Sequence, residues 1–247
     1  MHKPAIQYIC RSTRSLLKEF LLFIDTEATG LPKKWYLPYN VPGNWPNAVQ
    51  VSWVIYSREG EKIKEQNYYV SNGDFEISET ALRIHGLNKI FLQQNGIPRK
   101  HLLAMLSADL HQYQPMIVGH FTELDYHIIG ADYFREAIDN PLENLPTFCI
   151  MIASKHLQQN PRCKYLRLGE LYELLFKKPL LHQHNAMADA SATADCFFEL
   201  VKRNEIKSFT QPLIVFHKRE RISGHVGWII VTLLIFLIAL LIANYYG

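Results

Sequence analysis

Apolar positions along this chain form short β-like runs in its first third and helix-spaced stripes afterwards. Phe20–Ile24 is an apolar run that delivers Asp25 and Glu27 and breaks at Gly30-Leu31-Pro32, the pattern of a short buried strand. Ala48–Ser57 and Lys62–Ser71 are rich in β-branched and aromatic residues, and Arg58-Glu59-Gly60-Glu61 between them has hairpin length. They are expected to pair antiparallel. Met116–His120 and Thr147–Ala153 are further short apolar segments, giving five expected strands.

Helical spacing begins at Ser78–Ile84, a short stretch with a Ser cap that stops at His85-Gly86. Leu102, Leu103, Leu106 and Leu110 form a stripe that starts after Pro98 and runs to Tyr113. Helices are also expected over Thr122–Asp139, Leu168–Phe176 and Ala186–Asn204, the last with Ala190, Ala194, Phe197 and Val201 on one face. Hairpin strands followed by strands alternating with helices predict an α/β fold, a mixed sheet flanked by helices. Lys33–Pro46, crowded with Pro, Gly, Asn and aromatic residues, is expected to be an ordered loop or flap beside Asp25 and Glu27.

The two ends read differently. Residues 1–19 carry Lys3, Arg11, Arg14 and Lys18 against one acid, Glu19, and lack the apolar core of a secretory signal. They read as a basic extension, with a first helix over Ser12–Phe20 or a weak transit peptide as its possible forms. Val226–Ala243 is apolar and uncharged and, with Asn244-Tyr245-Tyr246, is long enough to span a bilayer. Lys218, Arg219 and Arg221 precede it, no positive charge follows, and Trp228, Tyr245 and Tyr246 stand at interfacial positions. A single-pass span with the catalytic part on the cytoplasmic side is expected. The domain map is a basic extension at 1–19, a folded domain at 20–205, a basic linker at 206–225 and a transmembrane helix at 226–246.

Composition adds bounds. A chain of 247 residues with 48% hydrophobic residues can bury a full core. A formal charge of +3 neither announces nor excludes a nucleic-acid binder. Cys10, Cys149, Cys163 and Cys196 show no metal-finger spacing and suit reduced thiols.

Residues i and i+2 of a strand point the same way, so Asp25 and Glu27 stand side by side while Thr26 faces the opposite layer. Alone, such a pair reads as a solvated turn. Asp125, at the start of the helix after the fourth strand, and Asp189, in the first turn of the long helix and five residues after His184, change that reading. Helix starts beside strand ends are where α/β sheets collect ligand sites.

Phe23–Pro32, with Asp25-Thr26-Glu27 inside it, resembles the first motif of the DEDDh 3'-to-5' exonucleases. Val118-Gly119-His120-Phe121-Thr122-Glu123-Leu124-Asp125 resembles their second motif, and His184-Asn185-Ala186-Met187-Ala188-Asp189-Ala190 their third. Ile84-His85-Gly86 matches an element between the first two. The likeness spans about Phe20 to Arg203. Phe121 departs from it, standing where the family commonly has Asn, and Leu124 stands where it has Phe.

The resemblance implies an RNase H-like fold and hydrolysis of phosphodiesters from the 3' end of single-stranded or frayed DNA, releasing nucleoside 5'-monophosphates. An exoribonuclease, or a catalytically weak nucleic-acid-binding module, is the alternative. It implies two Mg²⁺ or Mn²⁺ ions, with Asp25, Glu27 and Asp189 on the first, Asp25 and Asp125 serving the second, and His184 as general base. Oxygen donors suit such hard cations. By the same likeness Ala28, Thr29, Gly30, Leu31, Ile84 and His85 frame a pocket for the terminal nucleotide, and Lys33, Lys34, Arg162, Lys164 and Arg167 are candidate guides for the phosphate backbone. A zinc site from His182, His184 and Asp189 is a minor alternative, short of nitrogen and sulfur ligands.

Overall fold

A computed structural model of the chain describes residues 18–71, 73, 75–158, 160 and 163–206. It divides into the units Met1–Ile214 and Val215–Gly247. All described residues belong to the first. The segment Ser12–Leu17 of the expected first helix, the linker beyond Ile206 and the expected membrane span lie outside the described residues. Among the described residues no helix is long and apolar enough to cross a membrane.

Strand β1 (Phe20–Ala28) is central and longer than the apolar run alone suggests, because Asp25–Ala28 continue it. It pairs antiparallel with β2 (Ala48–Ser57), which pairs antiparallel with β3 (Lys62–Tyr69). On its other side β1 pairs parallel with β4 (Met116–Gly119), which pairs parallel with β5 (Thr147–Cys149). The order is β3-β2-β1-β4-β5, so the expected mixed five-stranded sheet is present. The edge strand β3 carries the charged residues Lys62, Lys64 and Glu65, which discourages pairing with another chain.

The helices are α1 (Glu79–His85), α2 (Lys89–Asn95), α3 (Arg99–Tyr113), α4 (Thr122–Arg135), α5 (Ile150–Ala153), α6 (Leu168–Phe176) and α7 (Ala186–Lys202). Ser78 caps α1 by accepting from the Ala81 N–H at 3.2 Å, and Gly86 ends it at φ +74°. Three expectations are corrected. Helix α4 ends at Arg135, with Ala137 in left-handed geometry. The apolar segment Thr147–Ala153 divides into β5 and α5. Phe20 lies in β1 and not in a first helix.

Leu21 and Phe23 of β1 bury against Leu171 and Leu175 of α6 and Phe197 and Leu200 of α7. Leu22 and Ile24 point into the opposite layer, each with at most 2% of its surface exposed. There the Trp53 indole N–H, on the β2 residue paired with Ile24, donates to Asp109 of α3 at 2.9 Å. Tyr133 of α4 meets the Ser107 hydroxyl of α3 at 2.8 Å. A helical layer therefore covers each face of the sheet, and β1 carries its side chains into both.

Candidate active site

β1 outruns its parallel partner. The β1–β4 ladder stops at Phe23–Val118 while β1 continues to Ala28, leaving the edge of residues 24–28 open on that side. The chain turns sharply from β4 into α4, and α4 fills that space. Gly119 permits the turn, because a Cβ there would come within 2.9 Å of the Thr122 hydroxyl and 3.1 Å of its Cα. Thr122 Oγ1 donates to the Phe148 carbonyl at 2.9 Å, fixing the first turn of α4 on β5.

Asp125, 5% exposed, arrives through that turn. Its Oδ1 accepts from the Thr26 backbone N–H at 3.0 Å and from the Thr26 hydroxyl at 2.8 Å. The alternation along β1 thus puts Thr26 on the side from which Asp125 approaches. Sequence reasoning assigned Thr26 no role, since its importance depends on a partner 99 positions away.

Asp25 and Glu27 pair with Ser52 and Gln50 of β2. The buried Gln50 amide donates to Asn67 Oδ1 at 2.8 Å, and its Oε1 accepts from the Ala186 N–H, the first residue of α7, at 3.2 Å. Gln50 therefore ties the strand beside Glu27 to the helix that carries Asp189. Asn185 caps α7 through the Met187 and Ala188 N–H groups. Asp189 Oδ2 accepts from the His184 backbone N–H at 2.9 Å. His184 is exposed and holds a left-handed φ of +65°, a conformation costly for a non-glycine residue.

Ligand atoms of Glu27, His184 and Asp189 all lie within 4.8 Å of one another. This grouping contains His184 and omits His182, which is exposed, so the His182 variant of a zinc site gains nothing from the fold. The acids also oppose one another electrostatically. Burial, then Asp125, Asp189 and Glu27 in that order, push the Asp25 carboxyl well above the usual range. Burial, then Asp189 and Asp125, push Glu27 up to about 8. Burial raises Asp125 to about 7 against the hydrogen bonds from Thr26 that lower it, with Asp189 adding to the rise. Burial raises Asp189 while His184 opposes the shift. Four carboxyls that disfavour one another's ionisation, offering oxygen and one imidazole nitrogen, fit a divalent cation.

Three half-buried histidines, His85, His120 and His127, are poor bases here. Burial pushes His120 and His127 down to about 4, so both are neutral near pH 7 and hard to protonate. His85 Nδ1 accepts from the Leu87 N–H at 3.0 Å, and burial lowers its pKa with His184 adding to the fall.

The pocket candidates divide. Leu31 and Ile84 are exposed at 72% and 50%, so their side chains are available to a ligand. Thr29 is buried, and its hydroxyl accepts from the Asn47 N–H at 3.0 Å, which gives it a structural task. Ala28, Gly30 and His85 are half-buried, and Ser78 N–H donates to the Thr29 carbonyl, drawing α1 against the end of β1. Lys33, Lys34, Lys164 and Arg167 are exposed, and Arg162 lies outside the described residues. Phe121 is the N-cap residue of α4 and makes no side-chain cap bond. The side-chain cap that an Asn would supply is absent, and Phe121 instead packs on Trp35. Among the described residues Cys163 and Cys196 are free thiols.

This sheet order, with acids from β1, α4 and α7 meeting at one edge, defines an RNase H-like exonuclease fold. The chain belongs to the exonuclease family RNase_T, whose profile matches residues 22–197. No curated protein matches it significantly by sequence. Solved structures of exonuclease I share the fold. One, described as suggesting how processivity is achieved, has a TM-score of 0.63 at 15% identity over 77% of this chain and 43% of its own. E. coli exonuclease I in complex with a dA16 oligonucleotide gives 0.62 at 16% identity over 77% and 42%. A moderately thermophilic exonuclease I from Methylocaldum szegediense gives 0.61 at 17% over 74% and 40%. The chain therefore spans less than half the length of the exonuclease I chains it resembles.

Proposed function

We propose that this chain is a metal-dependent 3'-to-5' exonuclease acting on single-stranded DNA or frayed 3' ends and releasing nucleoside 5'-monophosphates. The observation that carries the reading is the meeting of Asp25, Glu27, Asp125 and Asp189 with His184 at one sheet edge. When bound, two Mg²⁺ or Mn²⁺ ions supply charge neutralisation for an in-line displacement at phosphorus. Asp25, Glu27 and Asp189 would hold one and Asp25 with Asp125 the other.

The residues of the chain do the rest. Asp25 feels the charges of Asp125, Asp189 and Glu27 together, so it is the acid suited to serve both ions. Thr26 orients Asp125 through one carboxylate oxygen and leaves the other available. His184 accepts the proton of the attacking water, a role for which an imidazole side chain is suited. Water adds to the terminal phosphorus and the bond to the preceding 3' oxygen breaks. Leu31 and Ile84 offer apolar surface to the terminal base, a contact tolerant of sequence.

The same proposal includes a membrane tether at 226–246, a basic linker at 206–225 and a cytoplasmic catalytic part, supported by the apolar run and the flanking charge asymmetry. The 2'-hydroxyl is the chemical difference a DNA enzyme must exploit against RNA. Matched DNA and RNA oligonucleotides, each incubated with Mg²⁺ and with EDTA, test substrate class and metal dependence together. A Mg²⁺-dependent ladder from the 3' end of DNA is expected. Preferential shortening of RNA would move the assignment to an exoribonuclease, and binding without shortening to a nucleic-acid-binding module.

A further inference from the structure

Phe121 and Trp35 make an exposed aromatic pair where the family motif commonly places a small polar residue. Their ring centroids lie 5.7 Å apart at 40°, with 37% of Phe121 and 39% of Trp35 accessible. Single exposed aromatics need no explanation. This pair does, because its support is built and buried.

Trp35 stands edge-on to Trp45 at 5.8 Å and 89°, and Trp45 is 3% exposed. The Trp45 indole N–H donates to the Leu37 carbonyl at 2.8 Å, and its ring stacks on His127 of α4 at 4.7 Å and 26°. Just before Trp35, the buried Asn44 side chain accepts from the Lys34 N–H and donates to the Lys34 carbonyl, both at 3.0 Å. The Lys33 N–H donates to the Asn44 carbonyl at 3.1 Å. The loop is thus fixed on both sides of Trp35, and the exposed indole has little freedom left to lose.

Position gives the pair its occupant. Phe121 occupies the N-cap position of the helix whose first turn holds Asp125, and Trp35 lies in the loop after the strand that holds Asp25 and Glu27. The pair thus joins the two chain segments that deliver Asp125 and the Asp25 and Glu27 pair. Lys33 and Lys34, beside Trp35, are exposed cations suited to phosphate. A rigid aromatic face with flanking lysines is how single strands are bound without regard to sequence. We infer that Trp35 and Phe121 form a stacking platform for an unpaired base of the bound strand, beside the scissile linkage and distinct from the terminal-nucleotide pocket. The site takes any nucleobase, DNA or RNA, and rests on the exonuclease reading above.

The test uses the full chain and a twelve-residue dT oligonucleotide with phosphorothioate 3' linkages, so that binding is read without turnover. Oligonucleotide binding is expected to quench indole fluorescence in the wild type, and Trp35→Phe to remove most of the quench while keeping affinity. Trp35→Ala with Phe121→Ala is expected to weaken binding at least about fivefold. Walking a single abasic residue from the 3' end should find one position at which wild type and double variant bind alike. Phe121→Leu, which keeps apolar volume on Trp35, covers the case in which the double variant does not fold and should weaken binding in the same direction. Unchanged affinity in Phe121→Leu and in any folded double variant overturns the platform, as does quenching that survives Trp35→Phe. Failure of the exonuclease reading appears separately, as absence of hydrolysis on unmodified dT by the wild type.

Discussion

Thr26 holds Asp125 by two hydrogen bonds to one oxygen, the backbone N–H at 3.0 Å and the hydroxyl at 2.8 Å. The acid pair on one face of β1 is thereby joined to an acid from the other helical layer. Thr26→Val keeps the β-branched shape and removes the hydroxyl bond alone. A hydrogen bond to a charged group contributes about 1.5–3 kcal/mol, so we expect turnover to fall roughly tenfold or more and the Mg²⁺ dependence to shift to higher concentration. Thr26→Ser should restore both. Titrating activity against Mg²⁺ for the three proteins checks this.

Without cations the site is expected to destabilise the fold as pH rises. Glu27 is raised to about 8 and Asp125 to about 7 by burial and neighbouring acids. Between their unfolded values near about 4 and these, the folded chain binds more protons than the unfolded one, so stability falls with pH across that window. In EDTA, Tm should be lower at pH 8 than at pH 5.5. Mg²⁺ should raise it at pH 8 and much less at pH 5.5. Glu27→Gln should raise Tm in EDTA at pH 8 while abolishing activity, and calorimetry at both pH values reads all of these.

His184 lies close enough to Glu27 and Asp189 to be either a base or a ligand. As general base, His184→Ala should lower turnover about 10²–10⁴-fold and leave Mn²⁺ affinity, read by isothermal titration, within about twofold. A parallel loss of Mn²⁺ affinity would make it a ligand.

The apolar run Val226–Ala243 predicts that the full chain stays with membranes after carbonate washing, and that a chain ending at Lys207 does not. Fractionation of the two forms decides it, and release of the full chain by carbonate would exclude the tether.

Much of this fold could be read from residue patterns, because β1 and β4 carry apolar runs, β2 is rich in β-branched and aromatic residues and the long helices carry clear stripes. The acids and His184 were legible as well, since their motifs are short and local. What escaped was contact between distant residues. Gln50 reads as one polar residue in an apolar strand, yet it bridges Asn67 and the Ala186 N–H. Thr26 reads as the idle alternate of two acids. Helix α2 was missed although Asn88 caps it by accepting from the Phe91 N–H at 2.8 Å, because its exposed residues give little stripe. Phe121 was legible as a departure from a motif, and its partner Trp35 required the loop to be folded.

The most direct test of the central claim is degradation of a 5'-labelled single-stranded DNA in Mg²⁺ by the wild type, Asp25→Ala and Asp189→Ala. Progressive shortening from the 3' end is expected of the wild type, none in EDTA, and a loss of at least about a thousandfold in either variant. Undiminished turnover by folded Asp25→Ala would contradict it.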